Sequence, residues 1–244
     1  TRLNGPSVSI EKDGTQLSVL TKHLKLQLSL RRGLTIQNLA FASHGMVPCI
    51  GTLTHGHFSC ISLGADYYSG GVVVEVPTQR TRITDLEKVE PEFSVKDNGD
   101  LEIYATIATS MGSIKKRVTV SNSTEEISIG YSFAGWRKII GSARLGIVTL
   151  VKEFSQGSKI ICSNGGRGSE TFDLQGNFNH AQPASAFVSS SRGLGATTGE
   201  IRVENDSGNI NINWDLGKSA VLPMLQSSVS AGKNLSRIFF SIAE

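Results

Sequence analysis

At 244 residues, with 39% hydrophobic and 18% charged, the chain is the size of one large β domain and carries apolar residues enough for a substantial core. Lys and Arg total 24 against 21 Asp and Glu, a formal charge of +3, and short basic clusters occur at Arg31-Arg32 and Lys115-Lys116-Arg117; a nucleic-acid surface needs more positive charge gathered on one face, so no nucleic-acid partner is expected. No run approaches the roughly 18 apolar residues of a membrane-spanning helix, so no membrane partner is expected either.

Period-two alternation dominates the chain. Leu24, Leu26, Leu28 and Leu30 share one face of an extended segment while Lys25, Gln27 and Ser29 take the other; a helix would scatter these leucines round its surface. The same pattern predicts strands over 101–107, 114–120 (less cleanly), 126–133, 199–204 and 209–215, the last with Ile210, Ile212 and Trp214 facing a core. Asp13-Gly14, Arg32-Gly33, 97–100 and Ser207-Gly208 supply turns between strands, because glycine takes positive φ without a Cβ clash. No window of a dozen residues shows a helical stripe, and 84–90 is too short for more than a turn or two. The expected fold is all-β, a large antiparallel two-sheet sandwich with little or no helix, formed by residues 1–244 as a single domain.

Two stretches interrupt this rhythm, His44 to Gly71 and Ser163 to Gly195, and irregular segments on a rigid β scaffold are where binding residues tend to sit. The first holds the densest polar cluster: His55 and His57, followed by Asp66, Tyr67 and Tyr68. On an extended backbone His55 and His57 share a face. With Asp66 as a third ligand they suit a metal, but an isolated His-x-His weighs more as ordinary hydrogen-bonded histidine, and neither a metal nor another cofactor is assigned. The alternative is contact with a sugar, whose apolar C–H faces stack on aromatic rings while Asp, Arg and His bond its hydroxyls. Tyr67, Tyr68 and Trp136 are the rings, Trp136 being equally readable as core, and Arg137 stands beside it. The candidate ligand-binding set is therefore His55, His57, Asp66, Tyr67, Tyr68, Trp136 and Arg137; His23 and His44 receive no role.

Catalytic signatures are missing from the sequence. Glycoside cleavage needs two carboxylates across a cleft; Asp66, Glu75, Asp85, Glu170 and Asp173 are candidates that linear spacing cannot pair. No G-x-S-x-G elbow occurs, and the glycines at 165–168 lack the Lys-Ser/Thr of a phosphate-binding loop. Cys49, Cys60 and Cys162 show no C-x-x-C spacing and are read as buried or half-buried free thiols, which favours a reducing, cytoplasmic setting; a Cys49–Cys60 pair across a hairpin is not forbidden by their separation. Sequons at Asn122, Asn205 and Asn234 matter only in a glycosylating host.

In overall style the chain resembles the β-supersandwich of the galactose-mutarotase-like superfamily, and within it the C-terminal β domains that follow the catalytic barrel of family 57 and family 38 glycoside hydrolases. The resemblance runs over the strand Leu24–Leu30, residues 32–36 and 50–57, then 199–205, Trp214-Asp215, 223–225 and the final strand through Arg237–Ser241. It implies a non-catalytic carbohydrate-associated module that binds sugar or packs on an N-terminal catalytic domain of the same chain, and the absence of an initial Met is read as the mark of such a fragment. Two alternatives stand beside this reading. One is an aldose 1-epimerase-like enzyme, in which His55 or His57 matches the family's acid by type while no motif places the glutamate base. The other is a structural protein-interaction domain.

Overall fold

The computed structural model describes residues 2–4, 8–53, 61, 63–76, 79–136, 141–166, 168–176, 178–179, 194–230 and 233–242. Over these residues the protein is all-β and antiparallel, as the alternation predicts. Strands β1 (Arg2–Asn4), β2 (Val8–Asp13), β3 (Gln16–Thr21), β4 (Leu24–Ser29), β5 (Thr35–Phe41) and β6 (Pro48–Gly51) form a meander in which each pairs with the one before. A hairpin follows, β7 (Val73–Val76) and β8 (Thr81–Thr84). Next comes a separate four-stranded sheet of β9 (Glu92–Val95), β10 (Leu101–Thr109), β11 (Gly112–Val120) and β12 (Ile127–Ala134).

The long β13 (Ser142–Leu150) returns to the first sheet and takes both β6 and β7 along one side. After a one-turn helix α1 (Lys152–Ser155) come β14 (Lys159–Ser163), β15 (Ser169–Asp173), β16 (Phe178–Asn179), β17 (Glu200–Asn205), β18 (Gly208–Asn213), β19 (Val221–Ser230) and β20 (Lys233–Ile242). Of these, β15-β14-β17-β18 make a third sheet, while β20, β19 and β16 extend the first sheet beyond β13 to give it 12 strands. Hydrogen bonding thus divides the sandwich into three sheets. One core cluster draws on all of them: Leu26 and Leu39 from the first, Ile103 and Val118 from the second, Ile160 and Val203 from the third.

The leucine alternation is realised in β4: Leu24, Leu26 and Leu28 are wholly buried and Lys25 is exposed. Trp214 packs half-buried against the core, its ring edge-on to Phe240 at 6.0 Å. Cys49 and Cys162 are free, buried thiols, and Cys60 lies outside the described residues. Residues 84–90 form no helix: the Asp85 carbonyl accepts the Glu87 N–H at 2.9 Å, the Glu87 carbonyl accepts the Gly33 N–H at 2.8 Å, and the Val89 N–H donates to the Leu30 carbonyl at 2.8 Å. One reading of local structure changes. The irregular stretch after Ser163 contains β15, which pairs with β14 from Lys159↔Asp173 to Ser163↔Ser169.

The deviation that makes the 114–120 alternation imperfect has a structural cause. Lys116 sits in phase with Ile114, Val118 and Val120 and is buried with them. Its Nζ donates to Oδ2 of Asp85 and to the carbonyl of Gly33, both at 2.7 Å, and lies 5.5 Å from the Tyr131 ring. The second Asp85 oxygen accepts the Val72 N–H at 2.8 Å. Both side chains of the ion pair are 0% exposed. Burial lowers the Lys116 pKa and the Asp85 carboxylate opposes that shift. At Gly33, where φ is 57°, a Cβ would stand 1.8 Å from the Asp85 carbonyl oxygen, so the approach requires glycine.

Breaking a buried ion pair on one side leaves an uncompensated charge, at a cost of about 3–5 kcal/mol. Lys116→Met is therefore expected to lower unfolding stability by that order in urea titrations. Lys116→Met/Asp85→Asn, which removes the stranded charge and keeps an acceptor for Val72, should recover part of the loss; a double variant as unstable as the sum of the singles contradicts the pairing.

A second expectation concerns the thiols. Burial raises the Cys49 pKa to about 11, with Glu125 adding to the shift, and burial raises that of Cys162. Since the thiolate is the nucleophile, both should resist iodoacetamide at pH 8 in the native protein and react promptly in urea, as followed by peptide mass spectrometry.

Candidate functional site

The clearest concentration of buried polar groups lies on one face of the β13–β20–β19 part of the large sheet. Its strand parity follows from the register: Arg144 pairs with Ser241 and with Val73, Thr149 with Arg237, Arg237 with Gln226, and Phe239 with Met224. Cross-strand partners share a face, so Arg144, Thr149, Arg237, Ser241 and Gln226 stand together, with Phe239, Met224, Ile147 and Val73 as their apolar floor. Arg144 and Thr149 are five positions apart and would ordinarily face opposite ways. A bulge between Leu145 and Val148, with Gly146 at φ 59°, restores them to one side.

A 3-10 turn over Gly64–Tyr67 lays Asp66 against this face. Its Oδ1 is 3.2 Å from Nη2 of Arg144, and Nη1 of Arg144 donates to Oδ2 at 3.4 Å. Arg237 donates from Nη1 to the Asp66 backbone carbonyl at 3.4 Å and from Nη2 to the side-chain carbonyl of Gln226. Both guanidinium carbons lie over the Phe239 ring, at 5.3 Å for Arg144 and 5.2 Å for Arg237, which offsets part of their desolvation. The Asp66 and Arg144 side chains are 7% and 11% exposed. Burial pushes the Asp66 carboxyl above its ordinary value of 3.8; Arg144 and then Arg237 pull it down, and Glu75 pushes it further up.

Two buried hydroxyls on this face, Thr149 Oγ1 and Ser241 Oγ, accept or donate no hydrogen bond among the described residues, and Asp66 Oδ1 is held by its ion pair with Arg144 alone. Buried polar groups are nearly always satisfied by protein, water or ligand. Water or a small polar group supplies such missing bonds in buried sites.

Of the residues proposed from sequence, Asp66 is central to this cluster. Tyr67 belongs to the same turn, its carbonyl accepting the Leu53 N–H at 3.0 Å. Tyr68 follows, half-buried, with the Arg32 guanidinium 5.6 Å from its ring centre. Trp136 is placed elsewhere. It donates Nε1–H to the Ser113 carbonyl at 3.1 Å and meets Phe133 edge-on at 5.1 Å, in a cluster with Val74, Ala143 and Leu145. Those residues alternate with Val73 and Arg144, so this cluster faces away from Asp66. His55, His57 and Arg137 lie outside the described residues.

Among the candidate carboxylates, Glu75 acts electrostatically on Asp66 while itself paired to Arg82 at 2.6 Å. Asp85 is consumed by Lys116, and Glu170 and Asp173 sit on the exposed β15. Sequence reasoning missed Arg144, Arg237 and Gln226. The available signal was a lone arginine inside an otherwise apolar or small-residue strand, as in Leu235–Phe240, where parity places it with Phe239 rather than with solvent. No family model matches the chain, and no curated protein matches it.

The raised Asp66 pKa fixes a sign. A carboxyl held above its unfolded value gives its full stabilising contribution below that value and loses it as pH rises through the folded pKa. Asp66→Asn abolishes this titration. The stability of the variant relative to wild type should therefore improve as pH rises from 3.5 to 7 in urea midpoints; a difference that stays flat across that range sinks the assignment.

Proposed function

We propose that the chain is a carbohydrate-associated β-sandwich module, non-catalytic on its own, that holds a hydroxyl-rich sugar on the sheet face built around Asp66, Arg144, Arg237 and Gln226. The observation that carries this reading is the pair of buried hydroxyls at Thr149 and Ser241 without hydrogen-bond partners among the described residues, gathered beside the Asp66 carboxylate and two guanidinium groups. A carboxylate and a guanidinium in mutual reach accept and donate to neighbouring hydroxyls, a common way for proteins to fix a polar ligand in a shielded site. Tyr67 and Tyr68, in or directly after the turn that carries Asp66, fit the aromatic part of that recognition. His55 and His57 precede the same turn in sequence and belong to the proposed set. The likeness in style to galactose-mutarotase-like supersandwich domains agrees with this role, in which the module would pack on an N-terminal catalytic domain of the same chain.

One feature favours a second reading, an aldose 1-epimerase-like activity: burial raises the Asp66 carboxyl above its ordinary value, the direction in which acid–base carboxylates are tuned. Polarimetry on fresh α-glucose and α-galactose separates the two, since the module reading expects no acceleration of mutarotation.

Calorimetric titration with maltotriose, mannobiose and galactose tests the main proposal. At least one is expected to bind, and Asp66→Asn or Arg144→Gln should weaken it by about tenfold or more, because hydrogen bonds to charged groups contribute roughly 1.5–3 kcal/mol. Binding that is indifferent to both substitutions, or no binding by any of the three sugars, would count against it.

A further inference from the structure

A second polar concavity lies at the tip of the β19–β20 hairpin, where it meets α1 and the turn after β15. It is a cleft of about 360 Å³, within the size range of small-molecule sites, about 300–1,000 Å³. We infer that this cleft is a separate binding site for a neutral, polyhydroxylated ligand the size of a mono- or disaccharide, recognised by the side-chain amides of Gln156, Gln175 and Asn234.

The lining chemistry selects that class. Three carboxamides and one ammonium, Lys152, surround a wall formed by Val229, which is 51% exposed. The Gln156 and Gln175 carboxamides each offer two donors and an acceptor, the complement of a vicinal diol, whose hydroxyls both donate and accept, while Asn234, its donors spent within the fold, contributes its side-chain oxygen. A single cation with no second positive group in the lining is poor support for a phosphate or polyanion, which calls for clustered Arg or Lys or a backbone cradle. Val229 supplies the apolar surface that a sugar's C–H face requires.

The floor is held rigid. Nδ2 of Asn234 donates to the Leu174 carbonyl at 2.6 Å and to Ser155 Oγ at 3.4 Å, while its Oδ1 accepts from Ser227 Oγ at 3.3 Å. Ser227 also donates to the Leu174 carbonyl at 2.9 Å, and Ser155 donates to Ser236 at 2.8 Å. These serines are buried. The network leaves Asn234 Oδ1 one lone pair directed by fixed neighbours. The amides of Gln156 and Gln175 are exposed and bond no described residue, so they are available to a ligand. Asn234 and Arg237 are three positions apart in a strand of unbroken register and so point to opposite faces. The cleft is therefore distinct from the Asp66 face, and its argument does not depend on that site.

Titration of the ¹⁵N-labelled protein with maltose, cellobiose and mannobiose decides the matter. Saturable shifts are expected at the Gly157 amide and the Asn234 side-chain amide for at least one disaccharide. Gln156→Ala/Gln175→Ala should weaken that binding about tenfold, in line with two lost hydrogen bonds, while Lys25→Ala, on the exposed face of β4, leaves it unchanged. Both glutamines are exposed, so the double variant should retain the native spectrum elsewhere. No saturable shift with any of the three sugars overturns the inference. So does binding that persists in the glutamine variant; if Asp66→Asn abolishes it instead, the cleft proposal fails and the Asp66 reading stands.

Discussion

The buried pair of Lys116 and Asp85 is the constraint around which the sheets are arranged. Burying an ion pair is costly, and its attraction offsets that cost only when the remaining hydrogen-bonding capacity is filled. Here it is filled on both sides: Gly33 and Asp85 accept from the ammonium, Tyr131 offers its ring, and Val72 donates to the second carboxylate oxygen. Lys116 comes from the second sheet, Gly33 from the turn between β4 and β5, and Asp85 from the end of the β7–β8 hairpin. One polar contact thereby fixes the relative position of three chain regions that apolar packing alone would allow to slide. The Tyr131 hydroxyl reinforces it by donating to the Gly70 carbonyl at 2.9 Å.

That junction also governs the candidate site. Gly70 and Val72 lie just downstream of the turn carrying Asp66, so the hydrogen bonds to Tyr131 and Asp85 anchor the segment from one end. The Ser69 hydroxyl anchors it further, donating to Gly51 at 2.5 Å and accepting the Thr149 N–H at 3.0 Å. Asp66 is thus held against Arg144 and Arg237 by a backbone whose neighbours are already fixed. Preorganisation of this kind lets a buried carboxylate sit close to two guanidinium groups without rearranging when a polar ligand arrives.

Much of the scaffold was legible because a strand writes its burial into residue parity. The leucines of β4, the Ile201 and Val203 pair in β17 and the turns at Gly14 and Gly208 need no information beyond a few neighbours. Lys116 and Arg237 carry the same signal, as charged residues standing in apolar phase, but it went unread, and parity states only that a charge is buried and never what neutralises it. Asp85 is 31 positions from Lys116 and Asp66 is 78 from Arg144, distances over which the sequence carries no periodic signal. Trp136 shows the converse. An aromatic beside an arginine after a strand suits a sugar platform, yet the indole N–H is used by Ser113 and the ring packs on Phe133, a role set by the neighbouring strand β11.

The bulge in β13 marks the limit of pattern reading and builds the polar face of the candidate site. Uninterrupted alternation over Ser142–Leu150 would send Arg144 and Thr149 to opposite faces, and the polar face would lose one of them to the core. Gly146, in the left-handed region, absorbs the extra residue, and the register resumes with Val148 opposite Ile238. The irregularity thus gathers Arg144, Thr149, Arg237 and Ser241 while Leu145 and Val148 still pack with apolar neighbours. A bulge bends and twists any strand, and here it also brings polar groups from both halves of β13 to a single face, a placement that recurs beside functional sites.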